Sequence, residues 1–243
     1  MSLGTYASAK AIGGGVFGPE SIGWHSLFWA EGSEMAAEGY SDTDDVGTWP
    51  NEGGDNNATQ ATAGRLPTFT TLGINGHPSV TFNGARQNIR VASFASAPTY
   101  PITIVSVFRA GSDSGNTFLF DGVTGSTRNA NFKNGAAFTI FAGSSRSSPG
   151  VLTNGSDYIG LASFDGGGGG DTLTLNGTEL SSSDAGSSQL TGLSIGIDNS
   201  SANGAAWDSH IALIGIYEGD FTADPEFSDF ETWVTDHYGI SIA

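Results

Sequence analysis

The stretch that decides the fold runs from Ala206 to Ile242 and reads AWDSHIALIGIYEGDFTADPEFSDFETWVTDHYGISI. Its first part alternates with period two. Ile211, Leu213, Gly215 and Tyr217 are predicted on one face of a strand, and Ala212, Ile214 and Ile216 on the other. Asp224 then offers an N-cap, with Pro225 at the first helical position. Phe227, Phe230, Trp233 and Val234 follow at helical spacing, and Gly239 is suited to closing the helix in the left-handed conformation. One apolar strand passing into one amphipathic helix predicts a sheet whose last strand hands the chain to a helix laid against it.

Upstream, the chain reads as short strands joined by tight turns. Strands are predicted from His25–Ala30 through Leu66–Leu72, Ser79–Phe82, Asn88–Ala92, Ile102–Arg109, Thr117–Phe120, Ala137–Phe141, Tyr158–Phe164, Thr172–Leu175 and Leu193–Ile197 to Ile211–Glu218. Pro101–Phe108 is apolar on both faces, which predicts a central position. Asn-Gly pairs recur at 75–76, 83–84, 134–135, 154–155, 176–177 and 203–204, and each readily supplies the positive φ of a tight hairpin. With 37 glycines and 14% charged residues in 243, the composition suits an all-β domain and not a helical bundle. The predicted fold class is all-β, an antiparallel jelly-roll β-sandwich with one short C-terminal helix. Residues 24–243 form one domain, and residues 1–23, poor in large apolar side chains, are predicted to be an arm contacting a neighbour.

Charge removes several function classes. The net charge is −17, with only eight Lys and Arg, scattered along the chain. Nucleic-acid backbones and anionic membrane surfaces would be repelled. No run of about 18 apolar residues exists, so no membrane-spanning helix is expected. Met1–Trp24 lacks a basic segment followed by an apolar run, so no leader peptide is expected there. The absence of cysteine excludes disulfides and thiolate metal sites.

Three segments carry a family resemblance. The first is Trp207, Ile211, Ala212, Ile214, Ile216 and Tyr217, followed by Tyr238, Gly239 and Ile240. The second is Trp49-Pro50-Asn51-Glu52-Gly53-Gly54-Asp55-Asn56-Asn57-Ala58-Thr59-Gln60, and the third Pro78-Ser79-Val80-Thr81-Phe82-Asn83-Gly84. Together they resemble the concanavalin A-like lectin/glucanase superfamily, in its laminin-G-like bacterial and phage group. The resemblance implies a jelly roll and permits calcium in the loops at one end of the sandwich. It does not specify a ligand.

Candidate chemistry is sparse. Catalysis by paired carboxylates needs two acids on one cleft, and the nearest approach is Glu218-Gly219-Asp220, where the next expected acid is Ala223. No Gly-x-Ser-x-Gly elbow occurs. The four histidines, His25, His77, His210 and His237, are isolated in sequence and read as packed or surface residues. Glu31, Glu34 and Glu38 read as a solvated loop or helical turn. Gly13–Gly18 satisfies G-x-G-x-x-G literally, but Pro19 follows where a helix should begin. Asp42, Asp44 and Asp45 crowd one acidic loop, which makes calcium the one cofactor to consider. Trp49 with Asn51, Asp55 and Asn57 has the composition of a glycan platform, against the alternative that Trp49 is simply packed.

With no catalytic constellation, the expectation is a non-enzymatic structural or adhesive protein on the exterior of a larger particle, such as a phage virion. Its partners would be other particle subunits or further copies of itself. The second reading is a carbohydrate-binding lectin domain, calcium-dependent if the acidic loop binds metal, with surface glycans as partners. The third is a glycoside hydrolase. Outside a particle, the expected location is extracellular.

Overall fold

The computed structural model describes residues 17–167, 169–199 and 205–243. Among these, sixteen strands form two antiparallel sheets. In chain order they are β1 (Ser26–Trp29), β2 (Thr48–Trp49), β3 (Ala58–Thr59), β4 (Thr68–Ile74), β5 (His77–Thr81), β6 (Ile89–Val91), β7 (Ile102–Arg109) and β8 (Asn116–Asp121). Then come β9 (Ala130–Asn134), β10 (Ala137–Phe141), β11 (Ser145–Ser148), β12 (Asp157–Phe164), β13 (Thr172–Leu175), β14 (Thr178–Ser182), β15 (Leu193–Ile195) and β16 (His210–Glu218). Two α-helices accompany them, α1 (Ser33–Glu38) and α2 (Phe227–Tyr238).

The first sheet has the order β14-β13-β12-β7-β16-β5-β4, with β1 also pairing with β16. The second has the order β11-β10-β9-β8-β15-β6-β3-β2. β7, buried on both faces, is central, as its two-sided pattern requires. Its Ile102, Ile104 and Phe108 enter the core between the sheets, where they meet Phe28, Val80, Phe120, Phe138 and Trp207. Its Val105 and Val107 face outward and meet α2.

The last strand departs from strict alternation. Ile211 pairs with Phe108 and Leu213 with Val107, so Ala212 is an extra residue in a β-bulge. The bulge shifts the phase by one position. Ile211 therefore joins Ile214 and Ile216 in the inter-sheet core, whereas Ala212 and Leu213 lie together under α2. The faces expected from sequence thus hold only beyond the bulge. Past it, Gly215 leaves room for Trp24, whose ring lies 2.6 Å from where a Cβ would stand.

The helix begins later than its sequence signals suggest. Asp224 accepts from the Glu226 amide (2.7 Å), but α2 proper starts at Phe227, after one preliminary turn. Gly239 ends it at φ +66. Phe230, Trp233, Val234 and Tyr238 form its buried face against Val105, Val107, Ile159, Leu161 and Leu213. Asn75-Gly76 and Asn176-Gly177, each with both residues at positive φ, make the β4–β5 and β13–β14 hairpins. The Asn203-Gly204 pair lies outside the described residues, as do residues 1–16 of the expected arm. Of the remainder of that arm, Phe17 and Ile22 pack on the chain's own outer cluster beneath α2.

Candidate functional site

Residues from four separate segments meet in a cleft of about 500 Å³ at one end of the sandwich. Trp24 and His25 come from the approach to β1, Glu52–Asp55 from the β2–β3 loop, Ala95 and Ser96 from the segment after β6, and Glu218 from the end of β16. Gly53 lets its loop approach β1. A Cβ there would stand 3.0 Å from the Ser26 Cα and 3.2 Å from the His25 carbonyl. Gly54, at φ +86, completes the turn.

Local chemistry holds each polar group in place. The Glu52 carboxylate reaches across to α1 and accepts from the amides of Glu34 (2.8 Å) and Met35 (3.3 Å) and from the Ser33 hydroxyl (3.1 Å). It caps a helix whose own N-cap, Gly32, has no side chain to do so. Asp55 Oδ1 accepts from the Asn56 and Ala95 amides at 2.6 and 2.8 Å. Its Oδ2 lies 3.6 Å from His25 Nε2. That nitrogen is 2.9 Å from the Ser96 carbonyl, which can only accept, so Nε2 carries the proton. His25 Nδ1 is hydrogen-bonded to the Ser26 hydroxyl at 3.0 Å. Glu218 Oε1 accepts from the Thr99 amide at 2.7 Å.

What remains open is acceptor-rich. Among the described residues no hydrogen bond reaches Asp55 Oδ2 or Glu218 Oε2, whereas the Gly53 and Gly54 amides are spent on Asn51. Such a cleft suits a ligand that brings hydroxyl donors and carries no negative charge.

The residues singled out from sequence are distributed otherwise than expected. Of the platform residues, only Asp55 lines the cleft. Trp49 is fully buried and packs edge-on against Phe28 at 6.2 Å, so its face is core and not a platform. Asn51 is 6% exposed, and its Oδ1 ties Leu27 to Gly53. Asn57 is exposed, but its Oδ1 accepts from the Asn51 amide. These amides shape the loop that carries Glu52 and Asp55.

The calcium trio does not converge either. Asp42 is committed to Thr71 and Asp44 to the Ser41 amide, while Asp45 forms a bridge with Thr68. None of the three belongs to the acid-and-histidine group close enough to share an ion among the described residues.

That group, which the sequence reading missed, is Glu31, His77 and His237. Glu31 Oε1 lies 2.8 Å from His77 Nδ1, and Oε2 lies 2.6 Å from His237 Nε2. The two imidazoles are 3.7 Å apart between ring centroids. Burial pushes the Glu31 carboxyl up, but hydrogen bonds and charge from His237 and His77 outweigh it and hold the pKa below the usual value. Glu31 follows β1, His77 opens β5 and His237 lies in the last turn of α2. No local spacing could have announced residues so far apart in the chain. Glu34 and Glu38, read as loop or turn, belong to α1.

No protein-family model matches the chain, and no curated protein matches it in sequence. Similarity is found at the level of structure. A Trypanosoma rangeli sialidase, solved with sialic acid, superposes with a TM-score of 0.59 at 12% identity, over 91% of this chain. The chain spans about a third of that sialidase, 34% of its length. Domain 4 of AbnA, a GH43 extracellular arabinanase from Geobacillus stearothermophilus solved with arabinotriose, gives 0.52 at 14% identity, over 71% of this chain and 82% of that one. The receptor-binding domain of botulinum neurotoxin D gives 0.54 at 10% identity, over 79% and 52%. These likenesses establish a β-sandwich consistent with the concanavalin A-like fold.

They also correct one expectation. A sialidase and a domain of an arabinanase share this architecture, so the absence of an acid pair on one strand does not make the chain a non-enzyme.

Proposed function

We propose that the chain is a carbohydrate-binding β-sandwich of the laminin-G-like type, and that its saccharide site is the cleft between His25, Asp55 and Glu218. The observation that carries this reading is the cleft's acceptor-rich wall, where the exposed Glu218 Oε2 is left to receive a ligand hydroxyl and Asp55 Oδ2, on a side chain 8% exposed, faces His25 Nε2 at 3.6 Å. The volume, about 500 Å³, lies within the usual range for small-ligand pockets. The fold supports it, since the arabinanase domain, covered over 82% of its length, was solved with arabinotriose.

Charge selects the class of sugar. A chain of net charge −17 with three carboxylates on the cleft repels sialylated or uronic ligands and favours neutral oligosaccharides. The place expected on a particle exterior, with virion subunits as partners, draws no support from the sialidase, arabinanase-domain and neurotoxin-domain likenesses. The glycan reading, second on sequence grounds, therefore takes first place.

The test is a glycan array of neutral and acidic saccharides, followed by calorimetry on each ligand that binds. Neutral ligands should bind, and Asp55→Asn and Glu218→Gln should each weaken them about tenfold, the worth of one hydrogen bond to a charged group. Silence across the array, or affinity unchanged in both variants, refutes the proposal. Assaying the same ligands for cleavage shows whether binding is accompanied by turnover.

A further inference from the structure

The Glu31–His77–His237 cluster shares no residue with the saccharide cleft and owes nothing to that reading. We propose that these three side chains form a binding site for a divalent transition-metal ion of the zinc class. Their donor atoms all lie within 4.8 Å of one another. Two imidazole nitrogens and one carboxylate are a donor set typical of zinc sites that keep positions open for water or ligand.

The geometry is close to what an ion requires. With zinc–ligand distances of about 2.0–2.2 Å, tetrahedral donors stand roughly 3.3 Å apart. The carboxylate–imidazole contacts of 2.8 and 2.6 Å, made by the two oxygens of Glu31, open by about 0.5 and 0.7 Å to admit it, and donors as much as 4.8 Å apart draw in around the ion. In the metal-free arrangement each nitrogen facing Glu31 carries a proton, because a carboxylate only accepts. An ion takes the place of both protons, and each ring then holds its proton on the other nitrogen. Where a ring is doubly protonated, one proton leaves to solvent, so binding weakens on acidification.

The surroundings hold the donors in position. The His237 ring stacks on Trp233 at 4.9 Å, and its backbone carbonyl accepts from the Asn75 side chain. His77 stands edge-on to Tyr238. Side-chain exposures of 31% for His77, 18% for Glu31 and 23% for His237 leave a route for an ion and its waters. His237 also borders a groove of about 460 Å³ that Asp229 and Asp236 line, which concentrates cations beside the site.

The experiment titrates chelator-treated full-length chain with ZnCl₂ by calorimetry. One saturable site per chain is expected, with at least tenfold weaker binding in His77→Ala and in His237→Ala, and a rise in melting temperature that CaCl₂ at equal concentration does not give. No saturable site, or zinc affinity unchanged in both variants, overturns the proposal. Should the variants fail to fold, Co²⁺ added to the unaltered chain decides. A visible spectrum distinct from aqueous Co²⁺ and abolished by one equivalent of Zn²⁺ supports the site, and an aqueous spectrum refutes it.

Discussion

Arg128 closes on Asp121 with three short contacts, Nε at 3.0 and 3.1 Å and Nη2 at 2.6 Å, and the carboxylate it holds is completely buried. The amides of Gly122 and Asn199 supply further donors to the same carboxylate. The guanidinium also lies over Phe141 at 4.8 Å, beside the Phe118–Phe132 stack. Arg128 thus serves a buried anion and a patch of aromatic surface at once.

Removing it strands the anion. Arg128→Ala should cost about 3–5 kcal/mol of unfolding free energy in a urea titration. Burial holds the Asp121 carboxyl above its usual pKa, against the pull of Arg128. On acidification Asp121 therefore takes up a proton early, and the penalty of the variant should shrink. A penalty that is small at neutral pH, or that grows in acid, contradicts this account.

Glu31 predicts a pH dependence of the opposite sense. Its pKa in the folded chain lies below 4.5, its ordinary value, so it contributes stability that is complete above about pH 4.5 and is lost as pH falls through the lower folded value. His77, His237 and Tyr238 are the titratable groups around it. Without metal, Glu31→Gln should be less stable than the parent at pH 6, and the difference should close only below pH 4.5, as the pH falls through the lowered folded value. A constant difference across that range would show that the Glu31 charge does not matter.

Phe230 tests the docking of the terminal helix. It is fully buried, with Trp24, Phe221 and Trp233 within 5.9 Å between ring centroids. Phe230→Ala should lose about 3–5 kcal/mol, part of it from the cavity left among these rings. Twelve residues are too few for a helix to persist alone in water. Thermal unfolding followed at 222 nm and by tryptophan fluorescence should therefore shift together, and separate transitions would refute the coupling.

Two glycines separate strain from crowding. Gly196 has φ +81, and a Cβ there would come within 2.3 Å of the buried Phe82 ring. Gly150 has φ +74 with open space around it. Gly150→Ala should cost about 1–2 kcal/mol for the left-handed backbone alone. Gly196→Ala should add a further ~1–3 kcal/mol of overpacking. Equal losses in denaturant titrations would show that Phe82 yields freely.

Where the pattern was local, the chain could be read directly. β7, β10 and β13 match the expected spans residue for residue, because their apolar and β-branched runs are bounded by turn residues. Gly239 ends α2 as its backbone freedom predicts. Local rules failed where a distant partner intervened. The bulge at Ala212 reorders the faces of β16, and it is visible only in the pairing with β7. β9 escaped notice because Asn131 and Lys133, which interrupt its apolar pattern, are buried. Lys133 satisfies its ammonium on the Gly111 and Asp113 carbonyls.

The candidate sites divide the same way. Asp55, singled out for the composition of its loop, lines the cleft, whereas Trp49, seen beside it in sequence, turned inward to Phe28. Glu218 was noticed for an acid spacing it does not complete, and its place opposite Asp55 comes from β16 ending where the β2–β3 loop turns.

By itself the sequence determined the all-β class, the central strand, the tight Asn-Gly hairpins and the closing helix, since each depends on dihedral preference and on apolar periodicity over a few neighbouring residues. Only the tertiary structure decided which acids and histidines face one another. Glu31, His77 and His237 stand 46 and 160 positions apart along the chain, and their meeting depends on the pairing of β1 and β5 with β16 and on how α2 seats against that sheet.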